Sequence, residues 1–204
     1  MTFSVKERCP VTSPAVHALR LRSPRLAETA AELDLLLHIT ASMKQKQPFS
    51  LLSYTVLDDA FHLTLQHEGI RPLRLLQQLA ARYHNSLIES GRGLVRSDFQ
   101  CRTLVTRRSL LETVKYHHLL PVLHDYHPSP DAGARSSYAA YIREENGFID
   151  REAVLQSFPG GTDAFCRFHE RELSTAASSL QLREYSEAYL TALYTVTGSN
   201  TVNI

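Results

Sequence analysis

No apolar run in the 204-residue chain approaches the ~20 residues that a membrane span needs, so no membrane-embedded segment is expected. Cysteine is scarce: Cys9, Cys101 and Cys166 lie far apart and unpatterned. That spacing argues against a disulfide framework or a zinc ribbon and suits a reducing, cytoplasmic setting. The first residues include Lys6, Glu7 and Arg8 and no apolar h-region, so a secretory signal is not expected. Internal repeats and low-complexity tracts are absent. Net charge is almost absent too, at +1, but the balance is uneven.

What is present fits one globular domain with a helical appendage, large enough to bury a core: 43% of residues are hydrophobic and 21% charged. From Arg71 to Lys115 there are nine Lys/Arg against three Asp/Glu; from Ala140 to Leu190 there are five Arg against nine Asp/Glu. A basic middle reads either as a surface for a polyanion or as a solvated face of ordinary helices. The acidic end leaves room for a protein-interaction role on the same fold.

Residues 15–22 alternate and predict a strand. Ser23 followed by Pro24 predicts a helix start, with the helix running to about Lys46 and broken by Pro48. Phe49 to Leu57 and Ala60 to Gln66 predict a hairpin turning at Asp58 and Asp59. On its second strand Phe61, Leu63 and Leu65 share one face, and Ala60, His62, Thr64 and Gln66 the other. Pro72 opens a second helix with Leu75, Leu76, Leu79, Tyr83 and Leu87 inward, ended by Gly91 and Gly93. Cys101 to Thr106 predicts a fourth strand. Ser109 to Glu112 has a capping-box pattern that opens a third helix, with Pro121 expected to stop it. The order β-α-β-β-α-β-α is a ferredoxin-like split βαβ arrangement of the α/β (α+β) class, with an antiparallel sheet and helices on one face. Residues 1–125 are expected to form this domain. Residues 126–204 then form a Pro- and Gly-rich linker and a helical C-terminal extension, with helices at Ser136–Ile142, Arg151–Phe158, Thr162–Leu180 and Leu182–Tyr194.

Several segments, in order, carry a family resemblance. Val16 and His17 lie in the first strand. The hairpin from Tyr54 to Leu65 stands where that family carries His-hydrophobic-His. Arg82-Tyr83 sits in the second helix, Leu104-Val105 precede the third, Tyr116 is followed five residues later by Pro121, and Ser136-Ser137-Tyr138 come next. Together they resemble the single-tyrosine transposases of the IS200 type, and among them those associated with repetitive extragenic palindromes. The resemblance covers roughly residues 15 to 175.

It implies a tyrosine that attacks a DNA phosphate to form a 5′-phosphotyrosine intermediate, assisted by a divalent cation on two histidines and a third side chain. By this resemblance Tyr116 is the nucleophile and His62 a metal ligand. The partner histidine position is Ala60, and the third ligand position, four residues after the tyrosine, is Leu120. Residues 96–99, Arg-Ser-Asp-Phe, also depart from the family pattern. A lone imidazole holds a hard cation poorly. His117, His118 and His67 do not have the spacing to place two donors on the His62 face. His117, His118, His124 and His127 match no zinc template and suit surface or loop roles.

The expectation is therefore a repurposed or domesticated DNA-binding protein with impaired cleavage, against the alternative of an active nickase. No cofactor is expected unless cleavage is retained, in which case Mg²⁺ or Mn²⁺ would be required. The expected partner is single-stranded or hairpin DNA, with RNA left open, and the expected state is a monomer or a homodimer without membrane association. Arg71, Arg74, Arg82, Arg92, Arg96, Arg102, Arg107, Arg108 and Lys115 are the candidate phosphate contacts, with Phe99 and Tyr83 as stacking aromatics.

Overall fold

The computed structural model describes residues 14–92, 96–143, 147–175, 188–189 and 191–194. Its elements are β1 (Ala15–Arg22), α1 (Ala30–Lys46), β2 (Phe49–Val56), β3 (Ala60–His67), α2 (Pro72–Glu89), β4 (Asp98–Thr103), α3 (Arg107–Leu123), α4 (Tyr138–Ile142), α5 (Glu152–Leu155) and α6 (Gly161–Thr175). Residues 188–189 and 191–194 are also helical. The rest of the two last predicted helices lies outside the described residues. Among the described residues no helix is long and apolar enough to cross a membrane. Cys101 and Cys166 are free thiols, while Cys9 lies outside the described residues.

The four strands form one antiparallel sheet in the order β2-β3-β1-β4, the ferredoxin-like arrangement expected. Leu19 and Leu21 of β1 and Phe61, Leu63 and Leu65 of β3 face a core shared with α1 and α2. The opposite face is covered as well, which corrects the expectation of helices on one side. Ala18 and Ala60 pack with Leu120 of α3, and His117 of α3 reaches Ser53 of β2. α3 is buried on every side from Thr113 to Pro121, so it has no single apolar stripe, as befits a helix enclosed by protein.

Several boundaries differ from the sequence expectation, among them the helix expected at Arg151–Phe158, which is only Glu152–Leu155. α1 begins six residues after Pro24, because Thr29 caps it: Glu32 N–H donates to Thr29 Oγ1 (3.2 Å) and Thr29 N–H donates to the Glu32 carboxylate (3.1 Å). Residues 23–27 fold over the hairpin tip instead, with Ser23 N–H and Leu26 N–H donating to the carbonyls of Asp59 and Asp58, and Arg25 takes the left-handed conformation (φ 56°). β4 starts at Asp98, so that Phe99 can enter the core. α3 is capped by Thr106 and runs through Pro121 to Leu123. Only the last turn lies beyond the proline. There His124 N–H donates to Leu120 O (3.0 Å), and Asp125, at φ 59°, turns the chain away.

β2 is an edge strand, and the chain after α3 closes that edge. Val56 N–H donates to Arg135 O (2.7 Å), Ser137 N–H to Tyr54 O (3.1 Å) and Asp150 N–H to Leu51 O (2.8 Å), which satisfies groups that an open edge would present to another strand. α4 and α6 then pack Tyr138, Tyr141 and Phe165 against Leu52 and Val114, with the Tyr141 and Phe165 rings stacked at 4.6 Å.

A buried hydrogen-bond chain ties α6 to α3. His169 Nδ1 lies 2.9 Å from Phe165 O, His169 Nε2 3.0 Å from His118 Nδ1, and His118 Nε2 2.9 Å from Ser137 Oγ. A carbonyl only accepts, so Nδ1 of His169 carries its proton. Nε2 of His169 then accepts from His118 Nδ1–H, and His118 Nε2 accepts from the Ser137 hydroxyl. Both imidazoles are neutral, and all four ring nitrogens of His118 and His169 are satisfied. His117 and His118 are fully buried, against the surface or loop role that their spacing suggested.

Candidate functional site

The pleat of β3 puts Ala60 and His62 on the α3 side of the sheet, and one face of α3 brings Leu120 to them. All three line a single cavity of about 290 Å³, together with Arg20, Arg22, Leu57, Asp59, His124 and Thr191. The antiparallel register explains the arginines: Arg20 pairs with His62 and Arg22 with Ala60, and directly paired residues share a face. Arg20 Nε–H donates to Gln100 Oε1 (2.6 Å), and its guanidinium lies over the Tyr194 ring at 4.7 Å. Arg22 pairs with Asp59 at 2.9 Å on the exposed lip.

His62 is 3% exposed, and its Nδ1 has no hydrogen-bond partner among the described residues. Its ring centroid is 5.6 Å from that of His117 and 6.2 Å from that of Tyr194. Burial first, then the charges of His117, Arg20, Arg22 and His124, hold its pKa well below the ordinary imidazole range. His117 comes beside His62 through the crossing of α3 over the sheet, which linear spacing does not reveal. His117 Nδ1 is 3.0 Å from Ser53 Oγ, and burial lowers its pKa to about 3. His67 points to the other face, stacked on His17 at 4.9 Å. Among the described residues no group of three or more His, Cys, Asp or Glu side chains is placed to hold a metal ion. With Ala60 and Leu120 as walls and two guanidiniums at hand, the cavity does not fit a divalent cation.

Tyr116 is 1% exposed and lines a different cavity of about 370 Å³, with Thr106, Arg108, Ser109, Glu112, Lys115 and Tyr189. The Tyr189 ring lies against it, centroids 4.6 Å apart. The Lys115 ammonium sits 5.3 Å from its ring centre and 2.7 Å from Glu112. Tyr116 is thus enclosed within the protein. Neighbouring C-terminal residues reach the two cavities: Tyr189 lies on Tyr116, and Tyr194, Leu193 and Thr191 lie at the His62 cavity.

The candidate phosphate contacts do not form one stripe. Arg71 at the N-cap of α2, and Arg74 and Arg82 on it, are exposed across the sheet from His62. Arg92 is held by Glu32 and by the Arg25 carbonyl (2.6 Å). Arg102 donates to Leu193 O (2.8 Å) and Arg107 to Ser157 Oγ (2.8 Å). Arg108 and Lys115 border the Tyr116 cavity. Arg96 is exposed beside β4. The proposed stacking aromatics are corrected: Tyr83 is fully buried, its hydroxyl donating to Leu26 O, and Phe99 belongs to the core. The sequence reading missed Arg20 and Arg22, and alternation in Leu19-Arg20-Leu21-Arg22 was the available signal. It also missed Tyr189 and Tyr194, for which composition offers none.

No family model matches the chain, and no curated protein matches it. Among solved structures, the chain is similar to that of a REP-associated tyrosine transposase bound to a REP hairpin, with TM-score 0.56 and 14% identity over 69% of this chain and 86% of that one. The likeness is one of fold.

Proposed function

We propose that this chain binds DNA on a transposase-like scaffold whose strand-cutting chemistry is impaired. One observation carries the reading. Ala60, His62 and Leu120, the positions that the family resemblance assigns to metal ligands, line one cavity, yet two of them offer only carbon. Apolar packing of Ala60 and Leu120 with Ala18, Leu57, Leu193 and Tyr194 supports an adapted site in place of a vacated one. The structural neighbour is bound to a REP hairpin, so a single-stranded or hairpin DNA is the partner we infer.

The test mixes the full chain with labelled hairpin DNA, with and without Mn²⁺. Binding that weakens steeply with salt and leaves no covalent adduct is expected. An adduct that disappears in Tyr116→Phe would overturn the impairment. Absence of affinity at low salt would overturn DNA binding and favour a protein-interaction role for the acidic C-terminal region.

A further inference from the structure

We propose that the cavity at His62 binds a phosphate group directly, without a metal ion. Its lining holds Arg20, Arg22, His62 and His124 against a single carboxylate, Asp59, and that carboxylate is already engaged by Arg22 at the exposed lip. A divalent cation placed there would face two guanidiniums, whereas an anion would be attracted by both. Arg20 lies deeper. Only its Nε–H is used, on Gln100, so its terminal NH₂ groups have no hydrogen-bond partner among the described residues. The Tyr194 ring centre lies 4.7 Å from the guanidinium carbon and the ring braces it.

His62 supplies an independent observation. It is 3% exposed, lines the cavity and keeps Nδ1 unpartnered. A buried polar atom without a partner costs free energy unless a ligand or water meets it. A turn of the ring in the Nδ1–H tautomer would bring this donor to an anionic oxygen in the cavity. Ala60, Leu57 and Leu120 form an apolar wall on one side, and a less polar surround strengthens charge-assisted hydrogen bonds. A volume of about 290 Å³ is at the small end of ligand pockets, enough for a phosphate group and not for an extended ligand. That the phosphate belongs to DNA rests on the reading above; the anion site itself does not.

The experiment titrates the full chain with inorganic phosphate, and with short oligothymidylates with and without a 5′-phosphate. Chelator is present in every arm but one, where Mn²⁺ replaces it, and binding is followed by calorimetry and, in the chelator arms, by ³¹P NMR. Phosphate is expected to bind in chelator. Arg20→Gln should weaken it by about tenfold or more, and Arg22→Gln by less, because Asp59 shares that guanidinium. Ala60→Leu, which fills the cavity without touching its charges, should also abolish binding, with thermal melting reporting that each variant is folded. Preference for the 5′-phosphorylated oligomer would assign a strand end as the source; equal binding of both oligomers would assign a backbone phosphodiester. No phosphate binding by the unaltered chain, binding only on adding Mn²⁺, or binding indifferent to both Arg20→Gln and Ala60→Leu would overturn the site. Hairpin binding without phosphate binding would sink this site alone, and phosphate binding without hairpin affinity would sink the DNA reading alone.

Discussion

The Tyr189 ring lies against that of Tyr116, centroids 4.6 Å apart with planes inclined by 31°, and its hydroxyl is 3.2 Å from Thr113 Oγ1. Thr113 gives its own proton to Ser109 O (2.7 Å), so the Tyr189 hydroxyl is the donor, shared between Thr113 Oγ1 and Ser109 O (3.4 Å). One residue thus both shields the candidate nucleophile and latches the C-terminal segment to α3. Tyr189→Ala is expected to cost about 1–2 kcal/mol in unfolding free energy by denaturant titration. With hairpin DNA and Mn²⁺ it should still form no adduct, because uncovering Tyr116 restores no metal ligand. An adduct in this variant would mean that the cover, and not the missing donors, silences the chain.

Restoring the donors tests the other half. Ala60→His with Leu120→Asn places polar groups where two buried side chains, 4% and 1% exposed, now pack on Leu193 and Tyr194. Overpacking and desolvation should lower stability by about 2–4 kcal/mol in total. Adding Mn²⁺ should recover part of that loss and raise the melting temperature, whereas the unaltered chain should not respond. A folded double variant indifferent to Mn²⁺ would mean that these positions do not converge as ligands.

Thr29 decides where α1 begins. Thr29→Ala should cost about 1 kcal/mol through the lost cap, measured as a shift in the chemical-denaturation midpoint. Ser23→Ala should act on no helix terminus, since Ser23 N–H bonds the Asp59 carbonyl.

That pair shows what was legible in the sequence. Ser23-Pro24 is a sound local start signal, but Leu26 and Ala27 are drawn into the core and the hairpin turn captures the backbone of residues 23–27, so a tertiary contact overrides the local preference. The hairpin and α2 were readable because β3 alternates with period 2 and α2 carries its leucines and Tyr83 at helical spacing. Leu104 and Val105 pulled the fourth strand downstream by their apolar character, although Val105 is 85% exposed. In the candidate site, residues 60, 62 and 120 could be grouped through the family resemblance. The approach of His117 to His62 and of Arg20 to Tyr194 depends on crossing geometry that no linear spacing encodes.

The buried histidines predict an acid-sensitive fold. Burial brings His169 to about 4 and His117 to about 3, and holds His118 well below its ordinary value. Unfolded, each takes up a proton below about pH 6.5; folded, His169 stays neutral until near pH 4 and His117 until near pH 3, while burial keeps His118 neutral well below its ordinary value. The unfolded state therefore binds more protons within that window, so stability is fully present above about pH 6.5 and falls as the pH drops toward 4. The slope is at most about 1.4 kcal/mol per histidine per pH unit. Urea midpoints at pH 7.5, 6 and 5 should fall in that order. His169→Gln should be less stable at pH 7.5 yet show a shallower decline, because one of the protonating groups is gone.

The arginines divide by what already holds them. Arg92 bonds Glu32 and the Arg25 carbonyl, so Arg92→Ala should remove about 2 kcal/mol of stability and leave the salt dependence of hairpin binding unchanged. Arg71, the N-cap of α2, and Arg74 and Arg82 within it are exposed, and no hydrogen bond or ion pair engages their side chains among the described residues. Changing each to Ala should move stability little. If α2 contributes phosphate contacts, each change should also reduce the slope of log affinity against log salt by about 0.7–0.9. Fluorescence anisotropy across a salt series measures both. An unchanged slope in the α2 triple variant, with affinity retained, would assign the DNA contacts to the opposite face, where Arg20, Arg22 and Arg108 line the two cavities of α3.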